Sequence, residues 1–219
     1  MLLNGLWKFS FNDEPETELP VPGCFDACPQ YRFLRGKGTY RRLVHCGGNV
    51  ELHFGGLGLR ANIFWDGREI AFEPTAYTPL TLRFNAGHPG EHELKVVCDN
   101  TIDESPESEF RLFYDFYGFG GIYRDVELRE LPESYVDFAK ITTTDLQKGR
   151  IRLQVKTAGK KTHLTAAFDD GEFFALPDCS DGIKLEVPNP QVWSPQHPQL
   201  HTLNIRCGTD LCKIRFGLR

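Results

Sequence analysis

The segment Phe110 to Val126, FRLFYDFYGFGGIYRDV, crowds aromatic side chains, three glycines and Asp115 into a stretch too irregular for one strand. Such a mixture could face a sugar: aromatic faces lie against C–H surfaces while carboxylates and arginines bond the hydroxyls. It could equally be an aromatic cluster buried beneath a long loop, and composition leaves both readings open. Asp115 carries the same ambiguity. Its carboxylate could accept two sugar O–H groups or cap local backbone amides. Apart from the run between Asp103 and Glu109, the dense acidic group is Asp169-Asp170 with Glu172. Gly171 within it marks a turn between strands, where the carboxylates face water and no catalysis is expected.

Other reactive residues lack the spacing their chemistry needs. Cys24-x3-Cys28 and Cys207-x4-Cys212 have no C-x2-C knuckle, so no zinc site is expected. His88 and His92 stand four apart, but Pro89-Gly90 forbids the helix that would align them. His197 and His201 flank Pro198 and read as surface residues of a turn and a strand. Arg124 and Asp125 fall inside a predicted strand, whose alternation sends them to opposite faces in a structural role. Neither a G-x-S-x-G elbow, nor a phosphate loop, nor a dinucleotide fingerprint occurs, and no cofactor is expected.

The elements that must carry these residues are strands. Apolar and polar positions alternate in short runs bounded by Gly, Pro, Asn or Asp, without a sustained 3.6 period. The runs are Thr39 to His45, Val50 to Phe54, Ala61 to Trp65, Arg68 to Phe72, Leu80 to Phe84, Glu93 to Cys98 and Tyr123 to Arg129. Asp66-Gly67 between two of them predicts a type I′ hairpin. Around Leu131-Pro132-Glu133 the aromatic-rich part ends. A second series follows: Tyr135 to Thr144, Arg150 to Thr157, Thr162 to Phe168, Ile183 to Val187, Thr202 to Cys207 and Cys212 to Phe216. The expected class is all-β. Two sandwiches are predicted, the second with the size and strand spacing of an immunoglobulin-like domain but without its Cys-Trp-Cys hallmark.

The 219 residues suffice for one large or two ordinary domains with a real core. With 40% hydrophobic and 25% charged residues the composition is globular, and no run approaches the roughly 20 apolar residues of a membrane span. The reading is a soluble protein with no membrane partner. A formal charge of −5 has the wrong sign for a general phosphate-backbone binder, so no nucleic acid is expected either. The seven Cys form an odd, irregular set. A reducing, cytoplasmic location fits that set. Met1 to Trp7 lacks the basic and apolar regions of a signal peptide.

Motifs along the whole chain resemble those of glycoside hydrolase family 2, the β-galactosidase and β-glucuronidase family. Asp115-Phe116-Tyr117-Gly118-Phe119-Gly120-Gly121-Ile122-Tyr123-Arg124-Asp125-Val126 resembles the signature ending its sugar-binding domain, the D-F-aromatic opening being most like β-glucuronidases. Leu3 to Phe9 resembles the family's L-x-G-x-W-x-F start. Val21-Pro22-Gly23 and Tyr40-Arg41-Arg42 resemble its V-P-G turn and W-Y-R-R strand. Ala61 to Gly67 resembles its A-x-V-W-x-N-G hairpin, and Tyr77-Thr78-Pro79-Leu80 a later Y-T-P-F. Val192 to Leu203 is similar to a stretch of its immunoglobulin-like domain. Arg215-Phe216-Gly217-Leu218-Arg219 resembles the sequence opening its TIM barrel.

That resemblance implies a galactose-binding-like jelly roll over residues 1–133 and an immunoglobulin-like sandwich over 134–219. The family's two catalytic Glu, a nucleophile and an acid/base about 5 to 5.5 Å apart, lie on a C-terminal barrel with no counterpart here. No catalytic residue and no metal ligand is therefore assigned in this chain. In family members the Asp matching Asp115 reaches the barrel's mouth and contacts substrate, and in β-galactosidases it can help bind sodium. The substrate-binding residues implied are Asp115, Tyr117 and, at a turn on the rim, Arg35. The implied partners are a β-galactoside or β-glucuronide, the barrel, and a second copy in a homo-oligomer. A stand-alone carbohydrate-binding module and a structural two-domain protein are the alternatives.

Overall fold

The computed structural model describes residues 1–75, 77–102 and 117–219. Its strands pair antiparallel and fall into two compact units, Met1–Glu130 and Leu131–Arg219. The first unit contains β1 (Gly5–Phe11), β2 (Thr17–Val21), β3 (Gly23–Cys24), β4 (Lys37–Cys46), β5 (Asn49–Phe54), β6 (Arg60–Trp65), β7 (Arg68–Glu73), β8 (Leu80–Asn85), β9 (Gly90–Asp99), β10 (Gly121–Ile122) and β11 (Val126–Glu130). Six of these form a sheet in the order β2-β1-β4-β9-β6-β7, three form a second sheet, β11-β5-β8, and β10 pairs with β3. Alternation drives the layering. In β5, Val50, Leu52 and Phe54 are buried while Glu51 and His53 are partly covered, and in β9 Leu94, Val96 and Cys98 point the same way. With Trp7, Phe9, Tyr40, Ile63 and Leu128 they form one core from both sheets. Burying each large apolar side chain contributes about 1.5 to 3 kcal/mol.

The second unit contains β12 (Ser134–Asp145), β13 (Arg150–Gly159), β14 (Leu164–Phe168), β15 (Phe174–Leu176), β16 (Ile183–Glu186), β17 (His201–Cys207) and β18 (Asp210–Phe216). They make the sheets β12-β13-β16 and β15-β14-β17-β18. Ile151, Leu153 and Val155 of the first meet Ala166, Phe168, Leu203 and Ile205 of the second in one core. The all-β class read from the sequence holds. Asp66 and Gly67 link Trp65 to Arg68 at φ 48° and 79°, the two positive values a type I′ hairpin requires. Among the described residues no helix is long and apolar enough to cross a membrane.

The structure corrects the sequence reading at several points. The run Tyr123 to Arg129 is not one strand. The chain leaves β3 after Ile122 and rejoins a ladder only at Val126, opposite Phe54. Between them, Asn4 Nδ2 donates to Asp125 Oδ1 at 2.8 Å and the Gly55 N–H donates to the Asp125 carbonyl at 2.9 Å. Changing partner sheets requires that irregular stretch, so Arg124 and Asp125 lie outside regular strand. Strands β1, β2 and β15 were not anticipated. Pro20 disguises β2, which tolerates it as an edge strand facing only β1.

His201 is the second correction, for it is 5% exposed rather than at the surface. Its Nδ1 bonds Asp169 Oδ2 at 3.0 Å, and Asp169 Oδ1 accepts the next N–H, that of Thr202, at 2.8 Å. The first unit repeats the device. His92 Nδ1 bonds Asp66 Oδ2 at 2.6 Å, and Asp66 Oδ1 accepts the Glu93 N–H at 2.8 Å. Both aspartates sit at positive φ where a strand ends, 48° for Asp66 and 49° for Asp169. The second ring nitrogens differ. His92 Nε2 meets the His88 carbonyl at 2.9 Å, so both nitrogens of His92 must donate and the ring is an imidazolium. His201 Nε2 instead accepts the Gln191 N–H at 3.0 Å.

The bond to Asp66, then that to the His88 carbonyl, lifts the His92 pKa above its ordinary value. Burial pushes the Asp66 carboxyl up, but the His92 and Glu93 bonds outweigh it and hold it below its usual range. A raised histidine stabilises fully below about pH 6.5 and loses that contribution as pH rises through its folded pKa. A depressed carboxyl does so above about pH 3.9 and loses it as pH falls. The first unit is expected to be most stable between those limits. Its melting temperature, followed by circular dichroism, should decline toward alkaline pH. His92→Gln should flatten that limb, and an unchanged slope would remove His92 from the account.

Candidate functional site

One end of the first unit is organised by residues 25–36, which run between β3 and β4 as two 3-10 turns, Phe25–Ala27 and Pro29–Tyr31. Pro29 at the first position of the second turn supplies its φ without losing a needed N–H. Phe25 is fully buried against Phe9 and Phe11, and Tyr31 packs on the same two rings. Gly38 and Gly120 press on Phe25 so closely that a Cβ at either would stand 2.7 Å from its ring. That contact excludes any larger residue at both positions.

Beside Phe25, Asp26 is 1% exposed. Its Oδ2 accepts from Asn100 Nδ2 at 2.7 Å and from the Gly120 N–H at 3.0 Å. Asn100 in turn accepts the Gly36 N–H through Oδ1 at 2.8 Å and donates to the Leu34 carbonyl at 3.1 Å. Burial pushes the Asp26 carboxyl above its usual range, against the bonds from Gly120 and Asn100. Burial also pushes the neighbouring Cys24 thiol up to about 11, so it is no thiolate nucleophile.

Arg35 completes the arrangement. Its guanidinium donates to the carbonyls of Gly118 at 2.8 Å and Asn100 at 3.2 Å, and to that of Tyr117. It also lies 3.8 Å over the Tyr117 ring. Tyr117 meets Phe33 edge-on at 5.9 Å and Phe119 at 4.9 Å, and its hydroxyl donates to the Leu34 carbonyl. The Tyr77 hydroxyl holds the Phe119 carbonyl at 3.1 Å, and the Tyr123 hydroxyl holds that of Tyr77. These residues border an open cleft of about 330 Å³, lined by Asp26, Arg32, Phe33, Tyr117 and Phe119 among others. Among its described lining residues Asp26 is the only carboxylate. The described residues can bind and orient, and among them no paired acid and nucleophile is assembled.

Of the residues singled out in the sequence, Arg35 and Tyr117 thus meet. Asp115 lies outside the described residues, as do the preceding aromatics Phe110, Phe113 and Tyr114. The sequence reading passed over Asp26, Asn100, Arg32 and Phe33. A lone acid inside the otherwise apolar Cys24-Phe25-Asp26-Ala27-Cys28 was the available signal for Asp26, since such a group must find buried donors. Among the described residues no group of three or more His, Cys, Asp or Glu is placed to hold a metal ion. Asp26→Ala would strand the Asn100 and Gly120 donors and is expected to cost about 2 to 4 kcal/mol by urea unfolding. Combined with Asn100→Ala the loss should be less than additive, and full additivity would show the two to be uncoupled.

Residues 135–219 match the family model described as glycosyl hydrolases family 2. Among solved structures, a family 2 β-galacturonidase of Eisenbergiella tayi, bound to galacturonate, is 25% identical with a TM-score of 0.82. The match covers 100% of this chain and 43% of that one. Among curated relatives, the β-glucuronidase of Canis lupus familiaris is 23% identical over 93% of this chain and 41% of its own length. The β-galactosidase of Thermoanaerobacter pseudethanolicus is 22% identical over 93% of this chain and 31% of its own. The chain therefore spans less than half the length of these relatives. The second unit thus matches the model of glycosyl hydrolases family 2, and the whole length follows the fold of a family 2 β-galacturonidase.

Proposed function

We propose that these 219 residues are the non-catalytic N-terminal part of a retaining β-glycosidase, a sugar-binding jelly roll over 1–133 and an immunoglobulin-like spacer over 134–219. The observation that carries this reading is full-length likeness to enzymes more than twice as long. In the family's mechanism two Glu on a barrel perform the proton transfers and form the glycosyl-enzyme intermediate. The first unit would wall one side of that active site. Asp115 would accept sugar hydroxyl bonds, Tyr117 would offer its ring, and Arg35 would serve the site by holding Tyr117 from behind. The substrate would be a terminal β-galactoside or β-glucuronide. No disulfide joins any of the seven cysteines, which supports a reducing, cytoplasmic setting.

The 219-residue chain alone is expected to leave nitrophenyl β-galactoside and β-glucuronide untouched. The gene is expected to continue past Arg219 into a barrel that supplies the Glu pair, and the longer product should turn over one of the two. Turnover by the purified chain, or a stop codon directly after Arg219, would overturn the reading. In the longer product, Asp115→Ala should lower kcat/KM by about 10- to 1000-fold, about 1.4 to 4 kcal/mol, with little change in melting temperature. Full kcat/KM with a large drop in Tm would make Asp115 a backbone cap instead. Denatured without reductant, the native protein should yield all seven thiols to a labelling reagent, and recovery of a single thiol would remove the cytoplasmic assignment.

A further inference from the structure

Folding does not account for the side of the cleft formed by Arg32 and Phe33. Phe33 holds φ 65°, a left-handed conformation that aromatic residues avoid, yet it is 69% exposed and contributes little to the core. Left-handed backbone under an unburied ring is the kind of outlier that clusters at ligand clamps. Arg32, stacked 4.9 Å over that ring, has no hydrogen-bond or ion-pair partner among the described residues. Phe119, 43% exposed, and the half-buried Tyr117 supply further apolar surface in the same cleft. Its volume lies at the lower end of small-molecule sites, the scale of one or two sugar rings. Asp26 contributes a floor whose carboxylate is turned toward Asn100 and Gly120 and closed off from water. Among the described lining residues, the charge an entering ligand meets is that of Arg32.

We propose that this cleft binds a carboxylate-bearing pyranose of an acidic glycan, its ring against Phe33 and Phe119 and its carboxylate on Arg32. Guanidinium and carboxylate match in charge and fork geometry, and the aromatic faces take the sugar's C–H side. The site goes beyond the glycosidase role and needs no barrel, so the two readings fail separately. An inactive chain that binds acidic sugar supports this one alone, and an active longer product whose N-terminal part binds none defeats it alone.

The test is calorimetric titration of the 219-residue chain with trigalacturonate and, in parallel, with neutral maltotriose. Trigalacturonate is expected to bind at about the millimolar level and to weaken with added salt, while maltotriose binds at least tenfold less well. Arg32→Gln should weaken trigalacturonate about tenfold and leave maltotriose unchanged. Phe33→Asn places a residue suited to positive φ at this position, so it should keep or raise the melting temperature while abolishing binding. Equal affinity for the two sugars, full binding by Arg32→Gln, or no heat at millimolar trigalacturonate would overturn the proposal. So would a lowered melting temperature in Phe33→Asn with binding intact, which would make Phe33 a structural residue.

Discussion

The carboxylate of Asp26 ties together stretches of chain that lie far apart in sequence. Through one oxygen it reaches Asn100, at the end of a long central strand, and Gly120, just before the short strand β10. Asn100 passes the connection to Leu34 and Gly36, and Arg35 gathers the carbonyls of Asn100, Tyr117 and Gly118. These bonds are strong because their surroundings are dry, and the same dryness would make any one of them costly to lose. Tyr117 is held by this polar knot through its carbonyl and its ring, and Phe33 and Phe119 pack on that ring.

The β class and most strands were legible because alternation is a local signal and both units bury one face of each sheet. Val50, Leu52 and Phe54 advertise their strand without knowledge of its neighbours. The hairpin at Asp66-Gly67 was legible for a similar reason, since its two residues alone demand positive φ. Signals failed where structure depends on distant partners. Asp125 sits outside a strand because Asn4 and Gly55 hold it, and neither is near in sequence. His201 looked like a surface residue beside Pro198, but Asp169 and the Gln191 N–H satisfy it inside.

The site was legible in chemistry before it was legible in geometry. The aromatic character around Tyr117 could be read directly, and Arg35 was named for its place near a turn. What sequence could not disclose is that Arg35 spends its donors on backbone carbonyls, because main-chain acceptors leave no trace in residue identity. Nor could it disclose that Arg32, three positions earlier, has no hydrogen-bond or ion-pair partner among the described residues. Two neighbouring cations thus take opposite roles, one facing into the protein and one facing out.

The paired aspartate–histidine turns have a further consequence. Both units use the same backbone device, an aspartate in left-handed conformation receiving an N–H and a ring from the partner strand. In the first unit the ring's remaining nitrogen points at a carbonyl, and in the second it faces an amide N–H. A single turn geometry thus serves a ring that donates to a carbonyl in one unit and a ring that accepts an amide N–H in the other, the difference set by the group placed behind it.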